Sequence, residues 1–273
     1  MPQILSPEHA SHYASEFARR GFLSPVDVLD ADCARRHRDC VERAEARLGA
    51  VHYKAKMHTI LRSAHELATH PRMLDVVEAI LGADILLYNT TYIIKEPNSP
   101  AHVSWHQDLT YWGLDRDDQV SAWLALSPAD ERGGCMRMLP GSHALGARAH
   151  DTSRDDAHNV LFQSQRVDGV READAVACPL APGQASFHHG WTLHASTPNR
   201  GDDRRIGLNI QYIAPHVRQT KSPGYSAMLV RGVDRFGHYA PESPPRRDFD
   251  PKALAWRDRA DELHQRIAGT DAG

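Results

Sequence analysis

The sequence predicts a mainly β protein, a sandwich or barrel of short strands supported by a layer of helices. Three observations carry that expectation. Up to about residue 83 the apolar residues recur with helical spacing. At "DILLYNTTYIIKEPNSP" the texture changes to β-branched and aromatic residues, closed by Pro97, Asn98 and Pro100. From there to about residue 215, short strand-like runs alternate with turn clusters, the spacing of an all-β core.

The first element is a helix opened by Ser6 as N-cap, with Pro7 at the first helical position. "DADCARRHRDCVERAEARLGA" consists of helix formers throughout, and "PRMLDVVEAILGA" sets Leu74, Val77, Ile80 and Leu81 on one face before Gly82 ends it. After the strand at "ILLYNTTYIIK", the runs "VSAWLALSPA", "GGCMRMLPGSH", "ACPLAPGQASFHH", "WTLHAST" and "RIGLNIQYIAP" supply further strands. In the last of these, Ile206, Leu208, Ile210 and Tyr212 share one face, and Arg205, Gly207, Asn209 and Gln211 share the other. "DTSRDDAHN" reads as a polar insertion over the surface. The tail opens as a Pro-rich charged loop and ends in a short amphipathic helix carrying Leu254, Trp256, Leu263 and Ile267. No repeat or linker interrupts the chain. One domain over 1–273 is expected, with helices to about residue 83, a core over about 85–215 and an extension over 216–273.

Composition narrows the function classes. The net charge of −3 offers no electrostatic footprint for nucleic acid or an anionic membrane. No apolar run reaches the roughly 18 residues of a membrane span, and the start lacks the basic-then-apolar order of a secretory signal. Four scattered cysteines do not form a disulfide framework, so reduced thiols in the cytoplasm are expected. A small-molecule substrate is the expected partner, and the oligomeric state is not legible.

The chain holds two H-x-D pairs, and each serves as a control for the other. His37 and Asp39 fall in helical sequence, where positions i and i+2 diverge around the axis and cannot share an ion. His106 and Asp108, in "SWHQDLTYWG", follow a Pro-containing loop in extended sequence, where i and i+2 point to one face and converge. Two histidines and one carboxylate cover one face of an octahedron, the ligand set of non-haem iron(II) oxygenases. The second histidine must come from elsewhere, and the histidine-rich candidate is "SFHHGWTLHAST", where His188, His189 and His194 compete. Further on, Arg205 heads the polar face of a strand, placed to pair two-pronged with the far end of a dicarboxylate.

With "WHQDLTYWG", "AWLAL", "GGCMRMLPGSH" and "LHASTPNRGDDRRIGLNIQYI" in this order, the chain resembles the phytanoyl-CoA dioxygenase family over about residues 85–215. These are iron(II)- and 2-oxoglutarate-dependent oxygenases on a double-stranded β-helix, a cupin-like jelly-roll barrel. The resemblance implies Fe(II), with 2-oxoglutarate and O2 as cosubstrates. It implies His106, Asp108 and the distal histidine as metal ligands, with a serine two residues and an arginine eleven residues after that histidine on the 2-oxoglutarate. Only His194 meets both offsets, through Ser196 and Arg205. It further implies Trp123 near the cosubstrate, with Tyr88 and Asn89 contacting it from the preceding strand. His143 in the "PGSH" turn is read as structural. The implied reaction is hydroxylation of an unactivated C–H bond with release of succinate and CO2, and the aromatics around His106 would keep water from a reactive oxidant. Asp108 favours hydroxylation over halogenation, because halogenases of this fold carry a small residue at that place. Polar residues expected around the barrel mouth (His102, Lys95, Arg137, Asn209 and Gln211) lean toward a small polar substrate, anions included. Two other classes remain as alternatives: a catalytically silent cupin-like binding protein and a non-oxidative metal-dependent cupin enzyme. The full set of His106, Asp108, His194, Ser196 and Arg205 argues against the first, and the second gives Ser196 and Arg205 no purpose.

Overall fold

The computed structural model describes residues 5–153, 155–161 and 164–269. Helix α1 (Pro7–Arg20) starts where the Ser6 side chain accepts from the His9 N–H, and stops at Gly21 in the left-handed region with φ 80°. A strand, β1 (Phe22–Asp27), follows at once. The N-terminal region is therefore not wholly helical, as its periodicity suggested. β1 holds Pro25 and pairs along the edge of a sheet, where a missing N–H is tolerated. Helices α2 (Ala31–Leu48), α3 (Arg62–Ala68) and α4 (Pro71–Leu81) complete the layer, with α2 opened by Asp30 as N-cap.

Eleven strands form two sheets. β1, β2 (Ile85–Lys95), β4 (Gln119–Ala125), β7 (Gln184–His188), β9 (Arg205–Ile213), β10 (Ser226–Arg231) and β11 (Ala240–Pro241) make the larger, in the order β1-β7-β4-β9-β2-β10-β11. β3 (Val103–His106), β8 (His194–Ser196), β5 (Met136–Met138) and β6 (Val176–Cys178) make the smaller, in the order β3-β8-β5-β6. This is the jelly-roll architecture that the sequence predicts, with one correction: the two sheets are separate and do not close as a barrel.

One face of the large sheet packs on the helices. Ile206, Leu208, Ile210 and Tyr212 of β9 join Tyr92 and Ile94 of β2 against Phe17, Val41, Leu67 and Val77. The alternation read from β9 is therefore the alternation observed. Its other face, with Arg205, Asn209 and Gln211, lines a cavity whose far side is formed by His106, His194 and Ser196 of the small sheet. The tail is more than an extension, since β10 pairs with β2 and α6 (Pro251–Gly269) packs beside α5 (Leu109–Trp112). Among the described residues no helix is long and apolar enough to cross a membrane.

Candidate functional site

His106 is the last residue of β3 and His194 the first of β8, and the two are paired across the small sheet. Strand register alone sets their rings side by side, with centroids 4.1 Å apart. Asp108 does not share the strand as expected. It lies beyond the strand end, in helical backbone with φ −60° at the start of α5, and the turn carries its carboxylate back over the imidazole. Asp108 Oδ1 is 3.4 Å from His106 Nε2 and 3.6 Å from His194 Nε2. One ligand atom from each of the three residues lies within 4.8 Å of the others.

The hydrogen bonds decide which atoms face one another. His106 Nδ1 donates to the carbonyl of Ser104 at 2.9 Å, and His194 Nδ1 to that of Thr192 at 2.9 Å. A carbonyl only accepts, so in the neutral rings that a metal requires the lone pair of each falls on Nε2. On Asp108 the second oxygen, Oδ2, takes the Ser121 hydroxyl at 2.9 Å and His188 Nε2 at 3.3 Å. Oδ1 is left to the site. Three lone pairs therefore converge, each with its other atom anchored, which fits a facial iron set. Burial pushes the Asp108 carboxyl up, but the imidazoles of His194, His106 and His188 outweigh it and hold it well below the usual range. Burial likewise keeps His194 neutral, as a ligand must be.

The competing residues are elsewhere. His188 braces Asp108, while His189 stands 3.8 Å from Asp117 and beside His143. His143 donates to the Ala18 carbonyl from Nε2 at 3.1 Å, a structural contact in keeping with its turn. His37, in α2, bonds Ser63 at 2.7 Å, far from any shared ion with the exposed Asp39.

Arg205 heads β9 and is 3% exposed. Its Nη1 donates to the Gly134 carbonyl at 2.7 Å, its guanidinium lies 5.0 Å from the Trp123 ring, and its Nε has no partner. Burial draws it down to about 10, so it stays charged at neutral pH, and no carboxylate among the described residues pairs with it. A buried guanidinium with an unmet donor fits an incoming carboxylate. Ser196 lines the same end, and its Oγ accepts from Lys95 Nζ at 2.7 Å. That bond occupies a lone pair and frees the hydroxyl hydrogen for a ligand. Gly207 explains how Trp123 fits: a Cβ there would overlap the indole. The residues at this end suit 2-oxoglutarate.

Several expected contacts fall outside the cavity. β2 carries a bulge, so that Leu87 pairs with Tyr212 but Asn89 with Gln211, leaving Tyr88 as the extra residue. Tyr88 accordingly turns into an aromatic cluster with Trp112 and Tyr225, and Asn89 bonds Lys56, Thr91 and His264. Thr91 and Ile93 line the cavity in their place. Among the mouth residues, Asn209 and Gln211 do face it, each with an unpartnered amide oxygen. Lys95 is buried behind Ser196, and burial with Arg205 nearby lowers its ammonium to about 6. Arg137 pairs with Glu172 at 2.7 Å and His102 with Asp156 at 3.3 Å, both around a neighbouring hollow. The lean toward an anionic substrate loses its basis. Of the aromatics near His106, Tyr111 and Trp112 wall the cavity and Trp105 turns away, beneath Arg137.

Other lining residues carried no signal in the sequence. Tyr53 comes from the segment after α2, with φ 58°, and His264, Gln265 and Ala268 come from α6. The cavity they close measures about 310 Å³.

A family model described as phytanoyl-CoA dioxygenase (PhyH) matches residues 2–207. The chain is 30% identical over 189 residues to a probable alpha-ketoglutarate-dependent hypophosphite dioxygenase of Stutzerimonas stutzeri, covering 64% of this chain and 63% of that one. It is 28% identical over 153 residues to the peroxisomal phytanoyl-CoA dioxygenase of Bos taurus, covering 53% and 44%. The alignment thus spans less than two thirds of either relative. Among solved structures, the non-heme monooxygenase ThoJ superposes with a TM-score of 0.84 at 32% identity, covering 95% of this chain and 98% of that one.

Proposed function

The chain belongs to the phytanoyl-CoA dioxygenase family, and from that premise we propose an iron(II)- and 2-oxoglutarate-dependent dioxygenase that hydroxylates an unactivated C–H bond of a small metabolite or natural-product intermediate. Succinate and CO2 are the co-products. One observation carries the reading: three anchored lone pairs converge at one end of a cavity whose other end holds an unpaired, buried guanidinium. His106 Nε2, Asp108 Oδ1 and His194 Nε2 hold the iron. Arg205 and Ser196 take the remote carboxylate of 2-oxoglutarate, with Trp123 walling that end. Iron and 2-oxoglutarate, when bound, supply the activation of O2 that oxidises the C–H bond. The protein supplies orientation and a cavity that excludes water. A silent binding protein would have no need of three anchored metal-competent side chains beside that guanidinium.

One domain and a cytoplasmic location belong to the same reading. Support comes from a cavity drawing on residues from Tyr53 to Ala268 and from four free thiols. The test is oxygen uptake by the iron-loaded chain with and without 2-oxoglutarate, with succinate assayed in parallel. Uptake should require both iron and 2-oxoglutarate and match succinate one for one. A chain that binds iron but forms no succinate would overturn the proposal.

A further inference from the structure

Helix α6 lies beyond residue 207, where the family match ends, yet it supplies one wall of the cavity through His264, Gln265 and Ala268. Its seat is specified by hydrogen bonds. Asn89 Oδ1 accepts the Lys56 N–H at 2.8 Å, which turns Asn89 Nδ2 toward His264 Nε2 at 3.4 Å. Nε2 must then accept, so Nδ1–H donates to the Tyr225 hydroxyl at 2.8 Å. Tyr88, against Tyr225 at a centroid distance of 4.8 Å, receives Gln219 Nε2 at 2.8 Å. Tyr88 and Asn89 thus position the helix that closes the pocket. Leu263 and Ile267 complete the seat against Leu109 and Trp112 of α5.

The wall so formed is uncharged. Histidines apart, Asp108 and Arg205 are the ionised side chains among the described residues lining the cavity, and on the proposed function the iron and the 2-oxoglutarate neutralise them. Burial holds His264 down to about 4, so it is neutral at physiological pH. What remains for a substrate is an apolar surface of Trp112, Val160, Leu161 and Ala268, with polar atoms at Tyr111 and Gln211 that lack partners. An ion entering this space would lose its hydration and meet no counter-charge.

We infer that α6 is the substrate-selecting wall, and that the part of the substrate it admits is an uncharged, largely apolar body bearing a hydrogen-bonding group. This rests on the proposed function, because it takes Asp108 and Arg205 as already engaged. The probes are three molecules of one skeleton: cyclohexanemethanol, cyclohexanecarboxylate and cyclohexylmethylammonium. Each is titrated into the chain loaded with iron(II) and 2-oxoglutarate under anaerobic conditions. Binding is read as a change in the intrinsic fluorescence of the five tryptophans, of which Trp112 and Trp123 line the cavity, so no turnover is needed. The alcohol should bind at least about tenfold tighter than either ion.

Gln265 is exposed at the mouth, so charged variants there leave the fold alone. Gln265→Lys should shift preference by up to about fivefold toward the carboxylate, and Gln265→Glu by a similar factor toward the ammonium. Preference of the unmodified chain for an ion, or indifference to all three probes, would overturn the inference. So would Gln265 variants with unchanged selectivity. If 2-oxoglutarate itself fails to bind, the proposed function falls first; if it binds and the charge preference is reversed, only this inference falls.

Discussion

At the scale of single residues, the candidate site was legible wherever it depends on spacing along one short segment. Backbone periodicity set His37 and Asp39 apart on their helix, but it put Asp108 on the strand of His106, whereas the turn into α5 is what brings the carboxylate back. His106→Ala, Asp108→Ala and His194→Ala should each abolish tight iron binding in a chelator-competition titration, whereas His37→Ala and Asp39→Ala should leave it intact. Tight iron binding by any of the first three would end the assignment. Arg205→Lys retains the charge and loses the two-pronged geometry. A charge-assisted hydrogen bond is worth about 1.5–3 kcal/mol, so 2-oxoglutarate affinity should fall roughly ten- to hundredfold with iron binding unchanged. The adjacent Arg204 points to the opposite side, where it bonds Glu45 at 2.8 Å and Glu96 at 2.7 Å. Arg204→Lys should leave 2-oxoglutarate affinity nearly unchanged, and a reversal of the two results would mean the register of β9 is off by one. Trp123 is tested without truncating it: Gly207→Ala should displace the indole and raise the 2-oxoglutarate requirement more than that for the primary substrate. An unchanged requirement would make Trp123 plain core.

At the scale of elements, alternation and caps were read correctly and interruptions were not. β9 keeps strict alternation, so both its faces could be assigned from the sequence. β2 looks equally regular, but its bulge at Tyr88 reverses the alternation, and no residue there announces it. β1 escaped notice because six residues after a helix are too few for a period-2 signal to stand out. The role of α6 was hidden for another reason: amphipathic spacing tells that a helix is buried on one side, not what it covers. The tail is also fastened by a buried ion cluster. Glu242 contacts Lys56 Nζ at 2.8 Å and His58 Nε2 at 2.7 Å, with side chains at most 1% exposed. Burial pushes the Glu242 carboxyl up, but Lys56 and His58 outweigh it and bring it to about 2. Glu242→Ala removes the counter-charge of buried Lys56 and leaves its Nζ only the carbonyls of Tyr88 and Ser226, and breaking such a buried pair costs up to about 3–5 kcal/mol. Denaturant unfolding should show that loss, and a change under about 1 kcal/mol would mean that water or rearrangement satisfies Lys56.

At the scale of the whole molecule, the abundance of histidine has a consequence that no single site reveals. Burial lowers His52, His150, His189 and His264 to about 4 each, against about 6.5 in an unfolded chain. Between those values the unfolded chain binds protons that the folded chain refuses, so stability rises with pH across the window. The contribution is fully present above pH 6.5 and is lost as pH falls toward 4. Carboxylates do not share this window, because groups such as Glu242 are depressed and matter only below about 4.5. Each of the four histidines should cost up to about 1 kcal/mol between pH 6.5 and 5.5, less where partial exposure screens it. For a chain of this size 1 kcal/mol moves the Tm by about 2–4 °C, so together they should lower it by several degrees. The measurement is thermal unfolding of the chelator-treated chain from pH 7.5 to 5, since bound iron would add its own proton competition. His189→Gln, which leaves His106, Asp108, His194 and the His188 brace in place, should flatten the slope by removing one refused proton. A Tm that stays level down to pH 5 would mean these histidines take up protons while folded, and their burial would then have to be relieved by water reaching the rings.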